Sequence, residues 1–468
     1  MSQLIAVILA AGMGTRMKSK TPKVMHKLCG LPMLQHIYKI LKDAGIEDIV
    51  TVLGHQGEEI AKTLDGESKV VYQRQLLGTG HALLQALPEL EKYKSAQCLV
   101  LCGDTPLLRP ETLLALVEKH RTCKAQATVL TAVFEDPSGY GRIIKGTGGL
   151  ERIVEERDAS NEEKNVQEIN TGTYCFELAV LNEKIHCISA SNAQGEYYLT
   201  DLIKIIAEEK GIVETMLLED PKEALGINNR IQLAEAEKEL RKRILEEHML
   251  QGVTIVDPSA AYIDAAVRIG RDTILYPGVI LEGSTVIGED CHIGPNARII
   301  DTELGDNVTV IYSNLLEARA GNGCKIGPYS YLRPGARLES NVKVGDFVEI
   351  KNSDIGDHSK VPHLSYVGDS FIGKHVNVGA GTITCNYDGK QKHTTVIGDN
   401  SFIGSNTNLV APITVGRDAY VGAGSTVSKD IPDGSLAVER GKQRIIDNWQ
   451  SRIDKGTKMM AGDDKKDV

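Results

Sequence analysis

The sequence predicts an α/β chain in two parts: a domain of alternating strands and helices, then a parallel β-helix. Three observations predict this. Branched apolar residues return every six positions over much of the second half, strands and helices alternate through the first, and a glycine-rich turn follows the opening strand. The six-residue rows read Ile263, Ile269, Leu275, Leu281, Ile287, Ile293 and Ile299, then Leu304, Val310 and Leu316. They resume at Ile326, Leu332, Leu338, Val344 and Ile350, again at Ile355, Val361 and Val367, then at Ile372 and Val378, and last from Ile397 through Ile403, Leu409, Val415, Val421 and Val427. A helix would repeat near 3.6 residues and a half-buried strand near two, so neither explains a period of six. Hexapeptide periodicity is the signature of a solenoid whose turns bury their apolar row only when neighbours stack on them.

The first half is read in chain order. Residues 3–9 form an unbroken apolar strand running into Ala10-Ala11-Gly12-Met13-Gly14-Thr15-Arg16-Met17, with Pro22-Lys23 beyond. The strand lacks the basic flank of a signal peptide. Glycines let a backbone approach a phosphate, successive N–H groups cradle its oxygens, and Arg16 and Lys23 can neutralise charge on a phosphoryl group in transfer. Helical spacing is expected over Pro32–Ala44, a strand over Asp48–Leu53, a helix over Glu58–Leu64 and a strand over Lys69–Tyr72. Gln73 and Gly78-Thr79 follow, with Thr79 expected to cap a helix running to Leu90. Cys98–Leu101 reads as a buried strand ending in Gly103-Asp104. Such alternation implies a mainly parallel sheet with ligands at the carboxyl ends of its strands, where the Gly12, Gly78 and Asp104 loops converge. Asp104 is the carboxylate assigned to Mg²⁺, because a hard cation bridging phosphates needs an anionic oxygen; the plainer alternative is that it shapes a turn before Pro106. Glu155 and Asn170 suit sugar hydroxyls and an acetamido group, or are ordinary surface polar residues. Asn228 can add a neutral metal ligand.

Residues 229–250 are rich in helix formers and mixed charge, and read as one long exposed connecting helix. The expected divisions are 1–228, 229–250, 251–440 and a tail, 441–468, whose Lys- and Asp-rich end from Lys455 looks disordered, with Trp449 as an anchor before it. In the repeats, Arg333 follows Leu332 and Lys351 follows Ile350, three hexapeptides apart, so both can face the same side of stacked turns as a pocket for a sugar phosphate. Beside them, Glu349, His363, Tyr366, Asn377, Asn386 and Tyr387 form a polar cluster that aliphatic repeats do not need, and His363 is a fair general base. The period breaks at 384–396, an insertion that maps to one face of a solenoid, often the binding face.

The net charge of −10 argues against general nucleic-acid binding. Nine scattered cysteines without a zinc-like pairing read as reduced thiols of a cytoplasmic protein, and nothing approaches a membrane span.

The string L-A-A-G-x-G-T-R-M-x(5)-P-K resembles the signature of sugar-nucleotide pyrophosphorylases. From Leu4 to about Arg440 the chain is similar to the bacterial family of bifunctional N-acetylglucosamine-1-phosphate uridyltransferases and glucosamine-1-phosphate N-acetyltransferases. That resemblance implies a Rossmann-like nucleotidyltransferase domain and a left-handed hexapeptide β-helix, working as a homotrimer. It implies that N-acetylglucosamine 1-phosphate attacks UTP with release of pyrophosphate. Leu9, Ala10, Ala11, Gly12, Gln73, Gly78 and Thr79 would then hold the uridine, with Gln73, Gly78 and Thr79 reading the uracil edge. Arg16 and Lys23 would bind phosphates, Asp104 and Asn228 Mg²⁺, and Gly141, Glu155, Asn170 and Asn228 the sugar. Cys102 departs from the Tyr of some members. In the repeats, His363 would let the amine of glucosamine 1-phosphate attack acetyl-CoA. Arg333, Lys351, Tyr366 and Asn377 would bind the amino-sugar phosphate, and Ala380, Asn386, Tyr387, Ser405, Ala423 and Arg440 acetyl-CoA. The competing readings are a single-activity pyrophosphorylase whose β-helix only oligomerises, and a non-catalytic interaction subunit. The polar cluster in the repeats counts against the first, and the intact Gly-rich and Asp104 loops against the second.

Overall fold

The computed structural model describes residues 3–64, 66–93, 95–146 and 149–453, so the end of the tail, from residue 454, lies outside the described residues. It divides into two compact units, one of Met1–Gln251 with Asp257–Val267 and Leu281–Gly283, the other of Gly252–Val256, Arg268–Ile280 and the chain from Ser284 onward.

The first unit is built on a mixed sheet. Strand β1 (Gln3–Ala10) is followed by the short hairpin β2 (Lys27–Leu28) and β3 (Leu31–Pro32), helix α1 (Met33–Asp43), β4 (Ile49–Leu53), α2 (Gly57–Ala61), β5 (Lys69–Tyr72), α3 (Thr79–Leu90), β6 (Ala96–Cys102), α4 (Pro110–Thr122) and β7 (Ala127–Val133). Then come β8 (Arg142–Gly146), β9 (Gly149–Val154), β10 (Glu168–Glu177), α5 (Leu178–Lys184), α6 (Thr200–Glu208), β11 (Val213–Leu217) and α7 (Arg230–Leu250). The main path runs β11-β7-β10-β6-β1-β4-β5, and β8 and β9 form an arm on β10. β5, β4, β1 and β6 are mutually parallel, whereas β10 is antiparallel to both neighbours. Ile5, Ala6, Val7 and Ile8 are fully buried because helices cover both faces, which is why β1 reads as a continuous apolar run. Burying each of the isoleucine and valine side chains contributes roughly 1.5–3 kcal/mol. The register pairs Leu9 with Cys102 and with Val52, bringing the carboxyl ends of β1, β6 and β4 level.

Two expectations are corrected here. Thr79 does not cap α3: the cap position is Gly78, at φ 105°, and the Thr79 hydroxyl instead accepts the Leu199 N–H at 3.1 Å. Helix α7, capped by the Asn229 side chain on Ile231 and Gln232, is not an exposed arm. Ala236 is fully buried with Leu28, Met33, Leu107 and Ile227, and Arg243 donates to the Leu107 carbonyl at 2.6 Å, so the helix is docked on the first unit. Its mixed charge hid this, because the anchoring face is small and several of its charged side chains are paired, as in Lys222–Glu239 at 2.8 Å.

The second unit is a parallel β-helix of two- to four-residue strands stacked in three ladders. One ladder pairs Leu315 with Leu332, Leu332 with Ile350 and Ile350 with Val367. Strands of this length, one residue in and one out, give the buried–exposed alternation along each face. The expected row residue Leu316 is wrong by one: Leu315 points inward and is fully buried, while Leu316 is only partly buried, because the coil there is one residue shorter. At the 384–396 insertion, Thr384 takes the interior place, and its hydroxyl accepts the Gly368 N–H at 2.8 Å. Trp449 is 57% exposed, so the expected anchor of the tail is not formed within this chain.

Candidate active sites

The turn after β1 opens into a cavity of about 450 Å³ lined by Leu9, Ala10, Ala11, Gly12, Arg16, Lys23, Gln73, Gly78, Thr79, Asp104 and Asn228, with Met13, Gly14, Thr15, Cys102 and Glu196 among the others. Gly14 sits at φ 63°, and a Cβ there would lie 2.6 Å from the Lys23 Cβ, so glycine alone lets the loop close over that lysine. The Gly103 N–H donates to the Leu9 carbonyl at 2.8 Å, which fixes the Asp104 loop beside the Gly12 loop.

Lys23, 12% exposed at its side chain, ion-pairs with Asp104 and donates to Asn228 Oδ1 at 2.7 Å. Arg16 donates to the same Asn228 oxygen at 2.9 Å. Two side-chain oxygens thus converge on one ammonium. That donor set fits Mg²⁺, which takes one or two protein oxygens and leaves its remaining positions to water and phosphates. Among the described residues no group of three His, Cys, Asp or Glu could hold a metal by itself, so the substrate would have to complete the shell.

Gly141, Glu155 and Asn170 come together deeper in the fold: a Cβ on Gly141 would lie 3.5 Å from both the Asn170 Cβ and Glu155 Oε2. These three do not line the cavity itself. Asn170 donates to the Tyr174 hydroxyl at 2.7 Å and accepts the Gly172 N–H at 3.1 Å. Burial pushes the Glu155 carboxyl above the usual range, against a bond from the Thr200 hydroxyl at 3.2 Å. Neither residue is the ordinary surface polar group of the plainer reading. The Cys102 thiol is pushed up to about 12 by burial and donates to the Gly172 carbonyl at 3.5 Å. Glu196 is a lining residue that the sequence reading left without a role.

In the second unit the ladder register puts Glu349 beside Tyr366 and Asp346 beside His363. His363 Nδ1 and Asp346 Oδ1 are 2.6 Å apart, and the hydrogen bond from His363 holds the Asp346 carboxyl below the usual range. A carboxylate there can only accept, so Nδ1 carries the proton and Nε2 of the neutral ring is left as the base. Arg333 donates to Glu349 at 2.7 Å. Asp369 collects three donors: Lys351 at 3.3 Å, Asn352 at 2.7 Å and Asn386 at 2.6 Å. Asn386 also lies 3.4 Å from the Tyr366 hydroxyl. Lys351 lies close to Lys392 of the insertion and pushes the Lys392 ammonium below the usual lysine range. Asp346, Asp369 and Lys392 were missed; the first two lie 17 and 18 residues from their partners, the coil length, which was the available signal.

Ala380, Ser405 and Ala423 fall on successive coils. The Ala380 carbonyl accepts from Asn406 at 2.6 Å, the Ser405 carbonyl from Gly424 at 2.8 Å, and the Ala423 carbonyl from Arg440 at 3.2 Å. Tyr387 is exposed on the insertion, whose Asp388 accepts from Lys390 and Gln391 at 2.7 Å each. Asn377 lies on the ladder that carries Asp346 and His363, in the row of Lys360 and Phe402, three residues back from that pair.

Residues 6–160 match the MobA-like NTP transferase domain, and residues 266–301 and 394–429 match the bacterial transferase hexapeptide of six repeats. A bifunctional protein GlmU of Heliobacterium modesticaldum is 52% identical over 458 residues, covering 98% of this chain and 100% of its own. Another, of Desulfitobacterium hafniense, is 53% identical over 95% of this chain and 98% of its own, and one of a Geobacillus species 49% identical over 96% and 98%. The chain belongs to the GlmU family. It is a bifunctional enzyme, a uridyltransferase and an acetyltransferase, with a nucleotidyltransferase domain followed by a left-handed β-helix of hexapeptide repeats. Among the described residues no helix is long and apolar enough to cross a membrane.

Proposed function

We propose that the two sites act in sequence: the second unit acetylates glucosamine 1-phosphate with acetyl-CoA, and the first joins the product to UMP from UTP. The observation that carries this reading is the oriented His363–Asp346 pair beside Lys351, Tyr366 and Asn386, since a β-helix that only oligomerised would need no such group.

For acetyl transfer, His363 Nε2 takes a proton from the amine as nitrogen attacks the thioester carbonyl. The C–N bond forms, the C–S bond breaks, and the proton passes to the departing thiolate of coenzyme A. Asp346 holds the ring in the required tautomer and stabilises the imidazolium. Arg333 and Lys351 hold the sugar phosphate, with Tyr366 and Asn377 around it, and Lys392 adds a third cation. The column of Ala380, Ser405 and Ala423, with Asn386, Tyr387 and Arg440, holds acetyl-CoA. His363 and Tyr387 are both largely open to solvent in one chain, which supports a homotrimer in which a neighbouring copy closes the site.

For uridylyl transfer, a phosphate oxygen of N-acetylglucosamine 1-phosphate attacks the α-phosphorus of UTP and pyrophosphate leaves. The Leu9–Gly12 turn and Gln73, Gly78 and Thr79 hold the uridine, and Gly141, Glu155, Asn170 and Asn228 the sugar. Lys23 and Arg16 neutralise charge on the transferred group, and positioning with electrostatic stabilisation supplies most of the rate. Asp104 and Asn228 would hold Mg²⁺, which when bound would supply positive charge against the phosphates.

The test is to mix the purified protein with glucosamine 1-phosphate, acetyl-CoA, UTP and Mg²⁺. The proposal expects free thiol, pyrophosphate and UDP-N-acetylglucosamine. Pyrophosphate only when N-acetylglucosamine 1-phosphate is supplied, with no thiol, would mean a single-activity pyrophosphorylase.

A further inference from the structure

We infer that Tyr174 is a positioning residue for the sugar: its buried hydroxyl anchors the nitrogen of the Asn170 carboxamide, so that Asn170 meets N-acetylglucosamine 1-phosphate in one orientation. The inference rests on the proposed reading of Asn170 as a residue of the sugar pocket.

The contact depends on an irregularity in β10. Asn170 lies opposite Thr131 and Tyr174 opposite Val129, so a step of four residues on β10 spans a step of two on β7. The surplus is taken up around Gly172, at φ 77°, where a Cβ would fall 2.8 Å from Cys102 Sγ. Residues that a regular strand would hold about 13 Å apart are thereby brought within hydrogen-bond reach. The Tyr174 ring is fixed in its turn, stacked on Phe176 with centroids 5.6 Å apart.

Both side chains are buried, and Tyr174 does not line the cavity. Asn170 Oδ1 accepts the Gly172 N–H at 3.1 Å, and that group can only donate, so the contact settles which end of the carboxamide is oxygen. Nδ2 then donates to the Tyr174 hydroxyl at 2.7 Å. Burial first, then the nearby Glu155 carboxyl, hold the phenol well above the usual range, so it stays protonated and neutral. The inverted carboxamide would set Nδ2 against the Gly172 N–H, donor to donor. The Gly172 bond alone holds the plane of the carboxamide loosely, because the terminal torsion of asparagine is broad. The phenol is the second fixed point. One N–H and one oxygen lone pair remain for the sugar, beside Gly141, whose carbonyl accepts the Asn170 backbone N–H at 2.9 Å.

The experiment measures pyrophosphate release in the full-length wild type, Tyr174→Phe, Asn170→Ala and the double variant, varying each substrate in turn. Phenylalanine keeps the stacked ring and removes the anchor. In Tyr174→Phe the KM for N-acetylglucosamine 1-phosphate should rise on the order of tenfold, the worth of one orienting hydrogen bond, with kcat and the KM for UTP unchanged. Asn170→Ala should raise the same KM, and Tyr174→Phe should then add no more than about a twofold change, because it acts through Asn170. An unchanged sugar KM in Tyr174→Phe, an equal rise in both backgrounds, or a fall in kcat with a higher KM for UTP would overturn the inference. The last of these would mean that the hydroxyl only supports β10 and the neighbouring β6, which leads to Asp104. A wild-type sugar KM in Asn170→Ala would instead overturn the reading of the pocket on which the inference rests.

Discussion

Gly14→Ala separates the two activities on one chain and carries a magnitude that follows from the geometry. At φ 63° an alanine occupies left-handed backbone space, which costs about 1–2 kcal/mol. Its Cβ would fall 2.6 Å from the Lys23 Cβ and 3.5 Å from Lys23 Cα and Cγ, a contact that must be relieved by moving the lysine. Overpacking of this kind costs roughly a further 1–3 kcal/mol. The displaced lysine is the one held between Asp104 and Asn228, and a misplacement of about 1 Å in a group of that kind costs on the order of a hundredfold in rate. The assay measures pyrophosphate release from UTP and N-acetylglucosamine 1-phosphate, and thiol release from acetyl-CoA and glucosamine 1-phosphate, on one preparation. Pyrophosphate release should fall about a hundredfold while thiol release stays within experimental scatter. Pyrophosphate release within a factor of three of wild type would refute the claim that this turn places Lys23.

Three further outcomes are expected. Asp346→Asn keeps the size of the carboxylate but can present an N–H to His363, so the wrong tautomer becomes populated; kcat for thiol release should drop by about a hundredfold or more, with KM for glucosamine 1-phosphate little changed, as initial rates will show. A rise in that KM at constant kcat would make Asp346 a binding residue instead. Glu155, whose folded-state value is raised by burial, favours its protonated form in the fold, so its contribution is full below about pH 4.3 and is lost as pH rises through the raised value. Thermal unfolding of Glu155→Gln against wild type should therefore give a Tm advantage that widens from pH 4 to pH 8; parallel curves would contradict this. Chelation by EDTA should stop pyrophosphate release, and adding Mg²⁺ should restore it, while thiol release stays untouched, because the proposed metal ligands Asp104 and Asn228 belong to the first site.

Much of the fold was legible because the repeats carry their own phase. Spacing puts Leu332 and Ile350 in one six-residue series and Val367 in the next, and the three pair across consecutive coils. Where the phase slips, spacing alone could not choose between Leu315 and Leu316, since both are leucine and only the shorter coil decides. The first site was legible at Gly12, Lys23 and Asp104 because a strand, a glycine turn and a carboxylate at a second strand end are local patterns. Helix α7 was misjudged because a charged face pairing across the fold looks the same in sequence as a solvated one. Asp346 and Asp369 escaped for a related reason: acidic residues at coil corners are common, and only the ladder register shows that these two lie against His363 and Lys351.

The most direct test of two sites acting in sequence supplies glucosamine 1-phosphate, acetyl-CoA, UTP and Mg²⁺ to His363→Ala and Asp104→Ala and follows thiol and pyrophosphate together. His363→Ala should release neither, and adding N-acetylglucosamine 1-phosphate should restore pyrophosphate at the wild-type rate; Asp104→Ala should release thiol normally and no pyrophosphate. Thiol release unchanged in His363→Ala, or pyrophosphate release persisting in Asp104→Ala at low Mg²⁺, would contradict the assignment.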